Sequence, residues 1–137
     1  MTDGKIRILV ADDHVLIRDG ICALLASEPD IEVLGFAEDG EETLAKATEL
    51  QPDIVIMDVR MPKMNGVEAT RLLKAAHPHV RVLCMSVHHE KVIVDSVMAG
   101  GASGYLVKGN AAKEIVPAIR AVAAGETFYC STISTDR

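Results

Sequence analysis

The sequence predicts a single α/β domain in which a parallel β-sheet is covered by helices on both faces. Five short runs of β-branched and aliphatic residues alternate with segments whose apolar residues recur at helical spacing. Four of these runs are almost continuously apolar, which is typical of strands buried on both faces. Five consecutive βα units of this kind predict a doubly wound parallel sheet with right-handed crossovers. With 137 residues, 49% of them hydrophobic, the chain can bury one substantial core.

The predicted strands are 6–11, 31–37, 53–57, 80–85 and 104–107, and the predicted helices are 15–26, 41–50, 67–76, 90–99 and 111–124. Asp39, followed three residues later by Glu42, fits a capping box at the start of the second helix. Asn110 can cap the fifth helix and Gly125 can end it. Pro117 lies well past the first turn of that helix, so we expect either a kink there or a loose opening turn.

Composition and charge exclude several classes of protein. The formal net charge of −6 argues against this segment binding a nucleic-acid backbone by itself. The three cysteines, Cys22, Cys84 and Cys130, have unrelated spacings that indicate neither a disulfide framework nor a zinc site. No apolar run approaches the ~20 residues of a membrane span, and the N-terminal residues lack a signal-peptide pattern. We therefore expect a cytoplasmic protein.

Polar residues gather where four of the five predicted strands end. The first strand runs into Asp12 and Asp13, the third into Asp58, the fourth into Ser86 and the fifth into Lys108. Ligands of open parallel sheets bind beyond the carboxyl ends of the strands, so these side chains should meet at one edge. Three crowded carboxylates raise one another's pKa unless a cation lies among them. Oxygen ligands completed by water suit Mg²⁺ or Mn²⁺ better than a closed Ca²⁺ cage.

This set of residues also fits phosphoryl transfer. A carboxylate can attack a phosphoryl group and form an aspartyl phosphate, while a metal, a lysine and a hydroxyl neutralise the phosphoryl oxygens. Asp58 is the predicted nucleophile because its strand should be central and leads into the turn-rich segment VRMPKMNG. The backbone carbonyl of Arg60 could complete the metal shell. Taken singly, each residue has a plainer explanation: a helix cap, a solvated loop or a surface charge.

The stretches ILVADDH, PDIVIMDVRMPKMNGVEAT, VLCMSVHHE and GASGYLVKG resemble the receiver domain of bacterial two-component response regulators. The last of these, together with IVPAIRAVAAGETFYCS, resembles the NarL/FixJ subgroup, whose members usually carry a LuxR-type helix-turn-helix output domain. The resemblance covers residues 6 to about 130. It implies a flavodoxin-like (βα)5 fold with strand order 2-1-3-4-5.

The resemblance also implies a role for each acid of the site. Asp58 would be the phospho-acceptor. Asp13, Asp58 and the Arg60 carbonyl would bind Mg²⁺, and Asp12 would act partly through water.

Further roles follow from the same resemblance. Lys108 and the Ser86 hydroxyl would contact the phosphoryl oxygens, and Tyr105 would be the switch aromatic that moves inward when Ser86 is drawn toward the phosphate. Arg60 and His88 occupy positions that tune hydrolysis in the family. The plainer alternative for Tyr105 is a strand aromatic that half covers the neighbouring helix, and His88 could be an ordinary loop residue.

Two positions depart from the family pattern. Val87 follows Ser86, where receivers often have a small residue. Gly109 follows Lys108, where many receivers have a proline after a cis bond. A cis bond before a residue other than proline costs ~2.5–4 kcal/mol.

The sequence therefore predicts a phosphorylation switch and not a turnover enzyme. A sensor histidine kinase would phosphorylate Asp58, and the change would remodel the face made by the fourth helix, fifth strand and fifth helix. Residues 1–127 would form the receiver, with 128–137 a linker or tail toward a DNA-binding output domain that controls transcription. A stand-alone receiver is the alternative, and a homodimer is possible.

Two other classes of protein could share this pattern. A metal-dependent phosphohydrolase also forms an aspartyl phosphate on a parallel sheet, but it needs a second Asp two residues after the nucleophile, where this chain has Arg60. It also needs a cap domain. A pseudo-receiver would bind a partner without being phosphorylated, and the presence of all five site residues argues against it.

Overall fold

The computed structural model describes residues 4–61, 63–87 and 90–130 of the chain. Its strands are β1 (Ile6–Ala11), β2 (Ile31–Ala37), β3 (Ile54–Asp58), β4 (Arg81–Ser86), β5 (Gly104–Val107) and β6 (Phe128–Tyr129). Its helices are α1 (Val15–Leu25), α2 (Gly40–Leu50), α3 (Gly66–Ala76), α4 (Lys91–Ala99) and α5 (Ala111–Ala123). A 3₁₀ turn, Lys108–Asn110, joins β5 to α5.

All strand pairs in the sheet are parallel, and the order is β2-β1-β3-β4-β5-β6. This confirms the predicted α/β class and the 2-1-3-4-5 order. The short strand β6 was not predicted. It adds to the β5 edge, where Phe128 pairs with Gly104 and Tyr129 with Tyr105. Residues 131–137 of the predicted tail lie outside the described residues, so their role as a linker remains a prediction.

The core is aliphatic and centred on β1 and β3. Ile8–Ala11 in β1 and Ile54–Met57 in β3 are fully buried, as the continuous apolar runs predict. Helices α1 and α5 contact each other, while α3 contacts both α2 and α4, so the sheet is covered on both faces. Among the described residues, no helix is both long and apolar enough to cross a membrane.

The predicted capping box at the start of α2 is confirmed with one change of partner. The Oδ1 atom of Asp39 accepts a hydrogen bond of 2.8 Å from the Glu42 backbone N–H. The Glu42 side chain accepts one of 2.6 Å from the backbone N–H of Glu38, one residue before the position that a capping box normally uses. Two N–H groups at the chain's entry into α2 are satisfied in this way.

Only some of the features predicted for the two ends of α5 are observed. Asn110 lies at the N-cap position, but its side chain makes no capping hydrogen bond among the described residues. The Lys108–Asn110 turn supplies the loose opening turn that was one of the two alternatives, and α5 then continues through Pro117. Gly125 ends the helix with a φ of 92°, and its N–H donates to the Val122 carbonyl at 3.0 Å.

Candidate functional site

The residues predicted at the strand ends do converge at the carboxyl edge of the sheet. Asp12 and Asp13 follow β1, Asp58 is the last residue of β3, Ser86 is the last of β4, and Lys108 follows β5. In the sheet order, β1, β3, β4 and β5 are consecutive neighbours. The fold therefore presents these polar groups along one continuous rim.

Asp12 and Asp58 are buried acids that share one lysine. Asp12 is fully buried and Asp58 is 2% exposed. The ammonium of Lys108 lies 3.1 Å from Asp12 Oδ2 and 3.2 Å from Asp58 Oδ2. Burial raises the pKa of Asp58, and the nearby charge of Asp12 raises it further, while Lys108 lowers it in part. Lys108 thus holds two carboxylates that would otherwise repel each other.

Two buried carboxylate oxygens in the cluster have the chemistry of metal ligands. Asp12 Oδ2 and Asp58 Oδ2 are buried, and apart from the ion-pair contacts of Lys108 at 3.1 and 3.2 Å neither has a hydrogen-bond partner among the described residues. Buried charged oxygens without hydrogen bonds are costly. Together with Asp13, they form a cluster of oxygen donors that fits a hard divalent cation.

His14 belongs to this cluster, although it was not predicted from the sequence. Its Nδ1 atom lies 2.9 Å from Asp12 Oδ1, 3.3 Å from Asp13 Oδ1 and 3.9 Å from Asp58 Oδ2. One ligand atom from each of these four residues lies within 4.8 Å of the others. The available signal was the histidine that directly follows the acid pair in ILVADDH.

The loop after β3 is held against Asp58 by a glycine and a helix cap. The N–H of Gly66 donates to the Val59 carbonyl at 2.8 Å. A β-carbon at Gly66 would lie 2.3 Å from the Asp58 carbonyl oxygen, so only glycine allows this approach. Asn65 caps α3 by accepting the N–H of Glu68 at 3.0 Å. The Asn65-Gly66 step, predicted as part of a turn, is therefore also the start of α3.

The backbone of Arg60 contacts the site directly. Its N–H donates to Asp58 Oδ1 at 3.2 Å, which orients that carboxylate. The predicted metal-binding role of its carbonyl remains a prediction, as does the tuning of hydrolysis by its exposed side chain. His88, the other predicted tuning residue, lies outside the described residues.

Ser86 and Tyr105 are in contact beneath the rim. Ser86 is 2% exposed and Tyr105 is fully buried. Burial raises the pKa of Tyr105, and a side-chain hydrogen bond with Ser86 lowers it in part. The plainer alternative, a strand aromatic that half covers the neighbouring helix, stays open, and the switching role of Tyr105 is still a prediction. The Lys108-Gly109 bond is trans.

An open groove of about 740 Å³ begins at the acidic cluster. Asp13 and His14 line one end, and Met61, Val67 and Ile93 line the rest together with neighbouring residues of the same loop and helices. Val87, the residue after Ser86, is 64% exposed. The site is therefore accessible from solvent on the side of the β3–α3 loop.

Comparison with known proteins agrees with this geometry. Residues 8–120 match the family model of the response regulator receiver domain. The chain is 45% identical over 129 residues to the response regulator GacA of Pseudomonas viridiflava, covering 94% of this chain and 60% of that protein. It is 42% identical over 128 residues to the transcriptional regulatory protein DegU of Brevibacillus brevis, covering 93% and 54%.

Solved structures show the same relationship. A two-component response regulator of the LuxR family from Aurantimonas superposes with a TM-score of 0.87 at 34% identity, over 90% of this chain and 89% of that one. The receiver domain of the putative response regulator NarL from Mycobacterium tuberculosis gives a TM-score of 0.85 at 35% identity, over 89% and 98%.

A parallel sheet with this strand order and an acidic cluster at its rim defines a phosphorylation switch of the receiver class. The chain belongs to the response regulator receiver domain family, and its relatives place it with the NarL/FixJ (LuxR-type) subgroup. Receiver domains of this family are switches in two-component signalling, not turnover enzymes. The chain spans about 54–60% of the length of the curated relatives described above.

Proposed function

We propose that Asp58 accepts a phosphoryl group from the phosphohistidine of a sensor histidine kinase. The observation that carries this proposal is the environment of Asp58, which ends the central strand beside Asp12 and Lys108 with one carboxylate oxygen buried and lacking a hydrogen bond among the described residues. A carboxylate in such a position is a nucleophile with its charge partner already in place. The adjoining groove gives the donor a path to it.

In this reaction a carboxylate oxygen of Asp58 forms a bond to phosphorus as the bond between phosphorus and the donor imidazole nitrogen breaks. The bonding electrons leave with the imidazole. Lys108 supplies positive charge next to the attacking oxygen, and Ser86 supplies a hydroxyl for a phosphoryl oxygen.

Asp12, Asp13, Asp58 and the backbone carbonyl of Arg60 would hold Mg²⁺, or Mn²⁺ in its place, with Asp12 acting partly through water. The bound ion supplies charge neutralisation for the transferred phosphoryl group. The two buried oxygens without hydrogen bonds to described residues support this assignment. Arg60 and His88 would then set the rate at which the aspartyl phosphate is hydrolysed.

Ser86 and Tyr105 would transmit the conformational change from the phosphorylated site to the surface. These two side chains already share a hydrogen bond, so a Ser86 hydroxyl drawn toward the phosphate must change its contact with Tyr105. Tyr105 lies on β5, and its movement would alter the face formed by α4, β5 and α5. Phosphorylation would in this way bias a two-state element.

The output of the whole protein would be transcriptional control through a DNA-binding domain outside this chain, in the cytoplasm and with a possible homodimer. Support comes from GacA and DegU, a response regulator and a transcriptional regulatory protein that extend beyond the region matched here. The phosphohydrolase alternative has no support, because Arg60 occupies the position that would need a second aspartate. A pseudo-receiver would leave the buried oxygens of Asp12 and Asp58 without a role.

Incubation with acetyl phosphate and Mg²⁺, followed by intact-mass spectrometry, tests the proposal. We expect one phosphoryl adduct on the chain and none on Asp58→Asn, because the amide has no nucleophilic oxygen anion. Asp19→Asn is the matched control, since Asp19 is an exposed acid on α1, and this variant should be phosphorylated normally. An adduct that persists in Asp58→Asn, or the absence of any adduct on the unmodified chain, would contradict the proposal.

A further inference from the structure

We propose that the imidazole of His14 is a direct ligand of the metal ion at the acidic site. This makes the site a mixed nitrogen and oxygen site that favours Mn²⁺ over Mg²⁺. The inference rests on the proposed function, because it assumes that Asp12, Asp13 and Asp58 bind a divalent cation there. It adds a ligand and a metal preference to that function.

The first support is the position of His14. Its Nδ1 atom is 2.9 Å from Asp12 Oδ1, 3.3 Å from Asp13 Oδ1 and 3.9 Å from Asp58 Oδ2. Ligand atoms that share an ion at ~2.1–2.3 Å lie about 3–4.5 Å from one another, depending on the angle at the metal. The ligand atoms of these four residues all lie within 4.8 Å of one another, which is close to the upper end of that range.

The second support is that the backbone holds His14 in this place. Its N–H donates to Asp12 Oδ1 at 2.9 Å, and its carbonyl accepts the N–H of Arg18 at 3.1 Å in the first turn of α1. The histidine is thus tied both to the acidic cluster and to the start of a helix. Its Nδ1 atom already lies at hydrogen-bond distance from Asp12 Oδ1, so the ring is held among the carboxylates.

The third support is independent of His14. Asp12 Oδ2 and Asp58 Oδ2 are buried and have no hydrogen bond among the described residues. Three carboxylates in this cluster also carry more negative charge than the single ammonium of Lys108 neutralises. Both facts indicate that these acids need a cation, and the Nδ1 atom of His14 lies 3.9 Å from one of the two oxygens, Asp58 Oδ2.

The metal preference follows from the chemistry of imidazole. Mg²⁺ is a hard ion that keeps oxygen ligands and water, whereas Mn²⁺ and the later divalent ions of the first transition series accept imidazole nitrogen. Replacing one water by a histidine nitrogen therefore favours Mn²⁺ with little gain for Mg²⁺. We expect His14 to contribute about a tenfold increase in Mn²⁺ affinity.

Pulsed electron paramagnetic resonance on the Mn²⁺-loaded chain tests direct ligation. We expect a hyperfine coupling from a directly bound ¹⁴N nucleus, which changes to a ¹⁵N pattern when the protein is labelled with ¹⁵N-histidine. The coupling should vanish in His14→Gln and persist in the control His79→Gln. In titrations, His14→Gln should weaken Mn²⁺ binding about tenfold and change Mg²⁺ binding less than twofold.

The outcomes separate this inference from the function on which it rests. Bound Mn²⁺ without nitrogen coupling in the unmodified chain overturns the role of His14 and leaves the carboxylate site intact. Coupling that persists in His14→Gln assigns the ligand to another residue and also overturns the inference. Failure of Mn²⁺ and Mg²⁺ to bind at all overturns the proposed metal site itself. The labelled unmodified chain shows whether any histidine nitrogen binds the ion, and His14→Gln shows which histidine it is.

Discussion

The surroundings of Asp58 disfavour the charged form of its side chain. Its side chain is buried at the end of the central strand, and the charge of Asp12 adds to the effect, so its pKa is raised although Lys108 is close by. The folded state therefore holds the Asp58 proton more tightly than the unfolded state does. An acid in these surroundings weakens the fold, and a divalent cation bound beside it would offset that effect.

Replacing Asp58 by asparagine should stabilise the metal-free fold at neutral pH. Because the pKa of Asp58 is raised, stability falls as the pH rises above its ordinary value of 3.8, and that fall should be absent in Asp58→Asn. Each pKa unit corresponds to about 1.4 kcal/mol. Thermal unfolding in a chelating buffer from pH 4 to 8 measures the effect, with Asp19→Asn as the control. An unchanged or lower midpoint for Asp58→Asn at pH 7 would show that Asp58 carries no electrostatic strain.

At the scale of elements, the β3–α3 connection determines where Asp58 is held. Gly66 begins α3 directly over the backbone of Asp58 and Val59, and its N–H donates to the Val59 carbonyl. Asn65 satisfies the N–H of Glu68 in the first turn of α3. Because the start of α3 forms one wall of the site, the stability of α3 is coupled to the position of Asp58, the proposed phospho-acceptor.

Gly66→Ala should therefore damage both stability and phosphorylation. The new β-carbon would lie 2.3 Å from the Asp58 carbonyl oxygen and 2.8 Å from Val59 Cα, so the backbone must shift. Overpacking of this kind costs about 1–3 kcal/mol. Chemical denaturation and the rate of acetyl phosphate labelling measure the two effects.

Gly20→Ala is the matched control for this substitution. Gly20 is an exposed helical position, and apart from its chain neighbours and the backbone of its own helix, a β-carbon placed there would have no atom of the described residues within 4 Å. The control variant should be neutral or slightly stabilising, because alanine favours the helix more than glycine does. If Gly66→Ala and Gly20→Ala had the same unfolding free energy and the same rate of acetyl phosphate labelling, the proposed need for glycine at position 66 would be disproved.

At the scale of the whole molecule, the sheet continues one strand beyond the five that make the site. Strand β6 pairs with β5 at Gly104 and Tyr105, and Cys130, which follows it, is 1% exposed. Its N–H donates to the Tyr105 carbonyl at 3.1 Å. The packed domain therefore includes Phe128–Cys130, and β6 covers an edge that would otherwise be open beside the predicted switch residue.

Truncated chains measure how much Phe128–Cys130 contributes to stability, apart from residues 131–137. A chain that ends after Thr127 should unfold at a lower temperature than one that ends after Cys130, because it loses the pairing and burial of three side chains. A loss of about 2–4 kcal/mol is expected from the apolar area involved. The chain that ends after Cys130 is the control for loss of 131–137. Equal unfolding free energies for the two chains would mean that β6 contributes nothing to the fold.

The sequence by itself determined the fold class, the helices and five of the strands to within a residue or two, and the five polar residues at the rim. It could do so because local periodicity identifies buried strands, and because parallel sheets always bring the carboxyl ends of their strands to one edge. Asp12, Asp13, Asp58, Ser86 and Lys108 were found by that rule, since each follows or ends an apolar run. Such information is carried by neighbouring residues in the chain.

Only the tertiary structure decided the features that depend on residues far apart in the chain. Phe128–Tyr129 is too short to have a strand pattern and is a strand only because the edge of β5 accepts it. The burial of Tyr105 depends on the packing around β5, and His14 joins the site only because Asp58 is brought beside the loop after β1. The need for glycine at position 66 likewise arises from a backbone contact that no local pattern contains. Periodicity and strand ends are local properties, whereas edges, burial and close approaches exist only once the chain has folded.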